Sequence, residues 1–177
     1  MESEDIIIHI DWNGPHSLEA VARFNGPSDW GIYQIYGGHP VYGRGVLLYI
    51  GKTESDDAGF AGRVPNSAGR CLPNRDGDIE VHPGRLIGVA TPNNETWERQ
   101  IGLAERLLIY AHMPAYNRKL ELNPSDKDLF RVHVLNWRHH RDLLPEVSGA
   151  RWTDCFEHIP YGSYFSTEHF TKPLSSE

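Results

Sequence analysis

The chain has 177 residues, 39% hydrophobic and 23% charged, enough to bury one core without disulfide staples and too apolar for a disordered chain. No apolar run approaches the roughly 18 residues of a membrane span, so a helical membrane protein is excluded as well. The formal charge of -7 argues against a broadly basic nucleic-acid binder and leaves a locally basic cleft as the route to phosphates.

In chain order, the start Met1-Glu2-Ser3-Glu4-Asp5 is acidic where a secretory signal would be basic, and the reading is a cytoplasmic chain. The β-branched run from Asp5 to Ile10 predicts a strand, and Ser17 to Phe24 a short helix ended by Asn25-Gly26-Pro27. Two apolar strands follow, Gly31 to Tyr36 and Gly45 to Ile50. The Gly-rich and Pro-bearing loop between them lets the chain reverse as an antiparallel hairpin. From Thr53 to Asp78 the sequence is irregular, with a helical turn or two between Ala58 and Gly69. Arg85 to Ala90 is read as a third strand.

A longer helix opens after Pro92-Asn93-Asn94 and stops before Met113-Pro114. Its Trp97, Ile101, Ala104, Leu108 and Ala111 recur at helical spacing and gather on a face that should pack on the sheet. Beyond Asn117 lie an apolar stretch reaching Leu135, a Trp137-Arg138-His139-His140-Arg141 cluster and an aromatic tail through Tyr161, Tyr164, Phe165 and Phe170. That tail is too aromatic for a solvated linker and should dock on the core or a partner.

Cys71 and Cys155 have no CxxC partner, so neither a zinc knuckle nor a disulfide framework is indicated. Basic residues concentrate in the middle of the chain, at Arg44, Lys52, Arg63, Arg70, Arg75, Arg85, Arg118 and Lys119. Three apparent motifs are set aside. Gly45 to Thr53 has five residues between its glycines where a P-loop has four, and its interior is an apolar strand. His139 and His140, if helical, would point about 100° apart, so a solvated basic patch fits them better than a metal site. Gly37-Gly38-His39-Pro40 reads as a hairpin connection, with no helix start to aim its N–H groups at a phosphate.

Gly31-Ile32-Tyr33, Tyr49-Ile50-Gly51, Arg63, Glu105 and Asn117 occur in that order, with Pro114 between the last two. In this order and spacing the stretch from about Trp30 to Asn117 resembles the GIY-YIG nuclease family, in its restriction-endonuclease-like branch. The resemblance implies an α/β (α+β) fold, a small three-stranded central sheet flanked by helices. The catalytic core would span 28–119 of a single domain, with extensions over 1–27 and 120–177. It implies a metal-dependent endonuclease that hydrolyses DNA phosphodiester bonds, acting as a homo-oligomer because each site cuts one strand. Tyr33 would be the general base and Tyr49 would hydrogen-bond the attacking water or a phosphate oxygen. Arg63 would present a planar cationic fork to the developing charge. Glu105 would be the one carboxylate ligand of Mg²⁺ or Mn²⁺, and Asn117 would hold backbone or substrate. Lys52 and Arg70 would bind the substrate.

Helical geometry puts Glu105 about 80° from Trp97, at the margin of the apolar stripe, where it can face a cleft. Taken singly, the same residues have plainer readings. Tyr33 and Tyr49 would be packing residues of strands, Arg63 and Glu105 solvated charges, and Asn117 a turn former. Ser67 stands where the family often has His or Tyr. It supports, with the acidic balance, the alternative of a GIY-YIG-like module that binds nucleic acid or protein without cutting.

Overall fold

A computed structural model describes residues 5–54, 58–71, 79–88, 95–117 and 129–151, excluding the side chains of Arg70 and Cys71. Asn93, Asn94, Arg75, Arg118, Lys119, Cys155 and the aromatic tail lie outside the described residues. The elements are β1 (Ile6–Trp12), α1 (Leu18–Val21), β2 (Ile32–His39), β3 (Gly43–Lys52), α2 (Gly59–Cys71), β4 (Glu80–Leu86), α3 (Glu95–His112), β5 (Val132–Arg138) and β6 (Glu146–Ser148).

The strands form one six-stranded mixed sheet in the order β3-β2-β4-β1-β5-β6. This corrects the expected small three-stranded sheet flanked by helices. The difference comes from both extensions. β1 pairs antiparallel with β4, from Ile10 against Leu86 to Trp12 against Gly84. Its other edge takes β5 in parallel, from Ile6 against Val132 to Trp12 against Arg138. A strand that left β1 out would expose the backbone edge of β4, and pairing satisfies those groups. Trp12 fixes the arrangement further by donating its indole N–H to Asn136 Oδ1 at 2.8 Å.

Alternation along the strands divides the core between the two faces of the sheet. Ile10, Trp12, Ile32, Ile50 and Leu86 face α3, whose buried Trp97, Ile101, Ala104 and Leu108 meet them together with Val132, Val134, Leu143 and Val147 from the C-terminal region. Tyr33, Ile35 and Val81 face the other way, onto Val21 of α1 and Phe60, Val64 and Ala68 of α2. The expected apolar face of α3 therefore packs as read. It also takes Leu103, Leu107 and Ile109 into the core, because the C-terminal strands cover a second side of the helix.

Two boundaries differ from expectation. The third strand of the hairpin half is Glu80–Leu86, beginning before the expected Arg85 and ending at Leu86; Val89 and Ala90 of the expected strand lie outside the described residues. Its Pro83-Gly84 reads as a strand breaker, yet a Cβ at residue 84 would lie 2.6 Å from Trp12 Cε3 and 2.7 Å from Ile10 Cγ2. Glycine there lets β1 side chains cross the strand. The second difference is α2, a full 13-residue helix despite Pro65, longer than the expected turn or two between Ala58 and Gly69. The helix start is held from outside: Phe60 N–H donates to Asp29 O at 2.9 Å and Ala61 N–H to Phe24 O at 3.0 Å. Arg85 locks that loop by reaching Asp29 Oδ1 at 2.5 Å and Ser28 O at 2.9 Å.

Candidate functional site around the edge of β3

β3 is an edge strand, and its outward backbone groups need partners. The segment from Glu105 to Asn117 supplies them. The Lys52 backbone N–H donates to the Glu105 carboxylate. Ala115 N–H donates to Leu47 O at 3.2 Å and Tyr116 N–H to Leu48 O at 2.9 Å. Asn117 accepts from Ile50 N–H at 2.9 Å and donates to Ile50 O at 2.8 Å. Both amide groups of Asn117 are thus spent on the main chain, which makes it a positioning residue for β3.

Across the hairpin, Tyr33 and Gly51 are register partners. A Cβ at residue 51 would sit 2.6 Å from the Tyr33 hydroxyl and 2.6 Å from Tyr49 Cε1, so glycine makes room for both phenols. The Tyr33 and Tyr49 rings lie 6.1 Å apart at their centroids, and Phe60 meets Tyr33 edge-on at 6.5 Å. Gly31, at φ 155°, lies so near Gly84 O that a Cβ would clash at 2.0 Å. Thr53 seals that end by accepting from Gly31 N–H at 2.9 Å through its hydroxyl oxygen.

Tyr33 is fully buried, and its hydroxyl lies 2.7 Å from Ser67 Oγ on α2. Burial pushes its pKa well above the ordinary phenol value. The Ser67 hydrogen bond and Arg63 pull it down, and Tyr49 and Glu105 push it up. Glu105 is pushed up to about 7 by burial, opposed by Lys52, through both its charge and its backbone N–H, and by Arg63, with Glu54 adding to the rise. Arg63 lies 4.0 Å from Glu54 and is about a third exposed. β2, β3, α2 and α3 therefore bring Tyr33, Tyr49, Lys52, Arg63 and Glu105 into one electrostatic neighbourhood. The side chain of Arg70 lies outside the described residues.

Among the described residues no three His, Cys, Asp or Glu side chains gather as a ready metal cage. A single carboxylate still suits Mg²⁺ or Mn²⁺, which keep most of their waters. Glu105 fits this role on its chemistry: one hydrogen bond from Lys52 N–H leaves other carboxylate lone pairs available, and a cation would relieve the burial that disfavours its charge.

Sequence reading missed the contact of Ser67 with Tyr33 and the closing of β3 by Ala115 and Tyr116, since neither leaves a pattern in spacing. It also placed His139 and His140 on a hypothetical helix. They sit instead in the β5–β6 connection, between Arg138 at φ 60° and Arg141 at φ 52°. No described helix is long and apolar enough to cross a membrane. Comparison with protein-family models, with curated proteins and with solved structures gives no match.

Proposed function

We propose that the chain is a cytoplasmic, GIY-YIG-type endonuclease that hydrolyses DNA phosphodiester bonds with Mg²⁺ or Mn²⁺ and works as a homo-oligomer. The observation that carries this reading is the gathering of two phenols, two cations and a half-buried carboxylate from four elements at one end of the hairpin. Phosphodiester hydrolysis needs those parts: a base for the attacking water, positive charge for the phosphorane-like state, and an electrophile for the leaving 3′ oxygen.

Tyr33 takes the proton of the attacking water as the new P–O bond forms and the bond to the 3′ oxygen breaks. Burial opposes this, and Arg63 is the nearby cation that favours the phenolate. Tyr49 orients the water or a phosphate oxygen, Arg63 offers its fork to the equatorial oxygens, and Lys52 and Arg70 hold the flanking phosphates. Glu105 holds the divalent ion, which supplies the electrophile when bound. Asn117 keeps β3, and so Tyr49 and Lys52, in place.

A second reading is favoured by a specific observation. Tyr33 is bonded to Ser67, Glu105 to Lys52 N–H and Asn117 to Ile50, so each has a structural task that a non-cutting module would also need. Supercoiled and linear DNA incubated with the purified chain in Mg²⁺, Mn²⁺ or EDTA separates the two. Metal-dependent nicking supports the nuclease. Salt-sensitive binding without nicking supports the non-cutting module, and neither result removes DNA from the account.

A further inference from the structure

The β2–β3 hairpin differs in charge from the chain that carries it. The protein has a formal charge of -7, yet between Asp29 and Glu54 there is no Asp or Glu, while Arg44 and Lys52 lie in that stretch. The hairpin tip is the loop Pro40-Val41-Tyr42, closed where His39 pairs with Gly43. Gly43, at φ 92°, supplies the left-handed backbone that ends so tight a loop. Val41 is 80% exposed and Tyr42 68%, and Arg44 beside them is exposed as well.

The rings at the tip are held as a stack. His39 Nδ1 accepts from the backbone N–H of Val41 and of Tyr42, both at 3.2 Å, which fixes the imidazole across the loop. The Tyr42 ring lies on it at 4.5 Å and 21°. Tyr116, whose own N–H is bound to Leu48 O, lies 5.3 Å from the same imidazole at 44°. His39 thus covers one face of Tyr42, and the exposure of that residue leaves the other face to solvent. The carboxylates of Glu80 and Asp142 act on Tyr36, further down β2, and Arg141 pairs with Glu80.

We propose that the hairpin tip is a stacking platform for an unpaired base of a nucleic-acid strand, which lies on the open face of Tyr42 while Arg44 meets an adjoining phosphate. The proposal rests on the nucleic-acid part of the proposed function and is the same for a cutting and a non-cutting chain. An exposed aromatic face and a cation, in a stretch free of carboxylates, complement a polyanion of flat rings, and the contact is sequence-tolerant because every base has a π face. A duplex keeps its base faces within its own stack, so the platform takes a single strand or a frayed end. From Gly43 to Tyr49, β3 runs roughly 20 Å at about 3.3 Å per residue, the length of about six nucleotides of stacked strand. The base on Tyr42 is therefore about six nucleotides from a phosphate held at Tyr49.

Equilibrium binding of the full chain to a fluorescently labelled single-stranded DNA and to a blunt duplex of the same sequence, in EDTA so that neither is cut, tests this. Tyr42→Ala should weaken single-strand binding about tenfold, Tyr42→Trp should keep it within about twofold, and duplex affinity should change by less than about twofold in either. Arg44→Ala should reduce the slope of log affinity against log salt on the single strand by about 0.7. Wild-type binding that Tyr42→Ala leaves unchanged overturns the platform and leaves the proposed function standing. Absence of binding to either DNA by the wild type at about 100 µM overturns both. An equal loss on the duplex makes the tip a groove contact, and a change in the sedimentation of Tyr42→Ala in place of a change in affinity makes it an interface between copies; either result overturns the base-stacking assignment.

Discussion

The side-chain amide of Asn117 closes two hydrogen bonds on the main chain of Ile50, accepting from its N–H at 2.9 Å and donating to its C=O at 2.8 Å. The two residues are 67 positions apart and both are buried, so the pair joins the exit of α3 to the edge strand that carries Tyr49 and Lys52. Asn117→Ala leaves two buried backbone groups unmet, at a cost of about 2–4 kcal/mol. For a chain of this size that is a fall in Tm of roughly 5–10 °C by calorimetry. A Tm unchanged within about 1 °C would show that water replaces the amide.

Tyr33→Phe removes one hydroxyl and leaves Ser67 Oγ without its 2.7 Å partner, which should cost about 1 kcal/mol. Under the nuclease reading, cleavage falls about 100-fold or more while DNA affinity stays within about twofold, since proton transfer is lost and packing is kept. Equal cutting by wild type and variant would assign Tyr33 to packing alone. In alkaline titration, the variant should lack a phenol that ionises well above the ordinary range. Because the folded state raises this pKa, its share of stability is present below about pH 10 and is lost as the pH rises further.

Glu105 titrates at about 7 in the fold, above its unfolded value, so the native state holds the proton more tightly. Its share of wild-type stability should fall as pH rises from about 4.5 to 7, by about 1–3 kcal/mol once solvent screening is allowed for. Glu105→Gln, which can still accept the Lys52 N–H, should lack that share and keep the opposing one from His112. Mg²⁺ should raise the wild-type Tm more at pH 8 than at pH 6, where the proton competes, and should leave Glu105→Gln unmoved. Glu105→Ala should abolish cleavage. A Mg²⁺ response that survives Glu105→Gln would place the ion elsewhere.

His112, at the end of α3, gives the opposite slope. Its Nδ1 donates to Leu108 O at 2.9 Å and its Nε2 accepts from Leu144 N–H at 2.8 Å, so a proton on Nε2 breaks the tie to the β5–β6 connection. Burial lowers its pKa below 6.5. The unfolded state then binds the proton first, and this share of stability is present above about pH 6.5 and lost as the pH falls through the folded value. Hydrogen exchange at Leu144 N–H should quicken as the pH falls through the lowered His112 pKa in the wild type. An exchange rate independent of pH, after correction for intrinsic chemistry, would remove His112 from the role.

The sequence by itself determined local elements and their apolar faces. Ser17 marked the start of α1, where it accepts from Ala20 N–H at 3.2 Å, and the spacing of Trp97, Ile101, Ala104 and Leu108 marked the buried side of α3. Such signals survive because they act over one or two turns of chain. The order of Tyr33, Tyr49, Arg63, Glu105 and Asn117 named residues on β2, β3, α2, α3 and the turn after it, while the side chain of Arg70 lies outside the described residues.

Tertiary structure alone decided how many strands share the sheet and what each polar group does. Pairing of β1 with β5 spans Ile6 to Val132, and no local periodicity reports a partner so distant, because edge pairing is specified by backbone groups that every residue has. The same holds at the site. Ser67 as the partner of Tyr33, Lys52 N–H as the donor to Glu105 and Ile50 as the hold of Asn117 arise from close approach of separate elements. That approach also sets the burial that lifts Glu105 to about 7 and leaves His82 with a bare ring nitrogen. Residue type announces a capacity for charge or hydrogen bonding, and only the surrounding packing fixes the protonation state in which it is used.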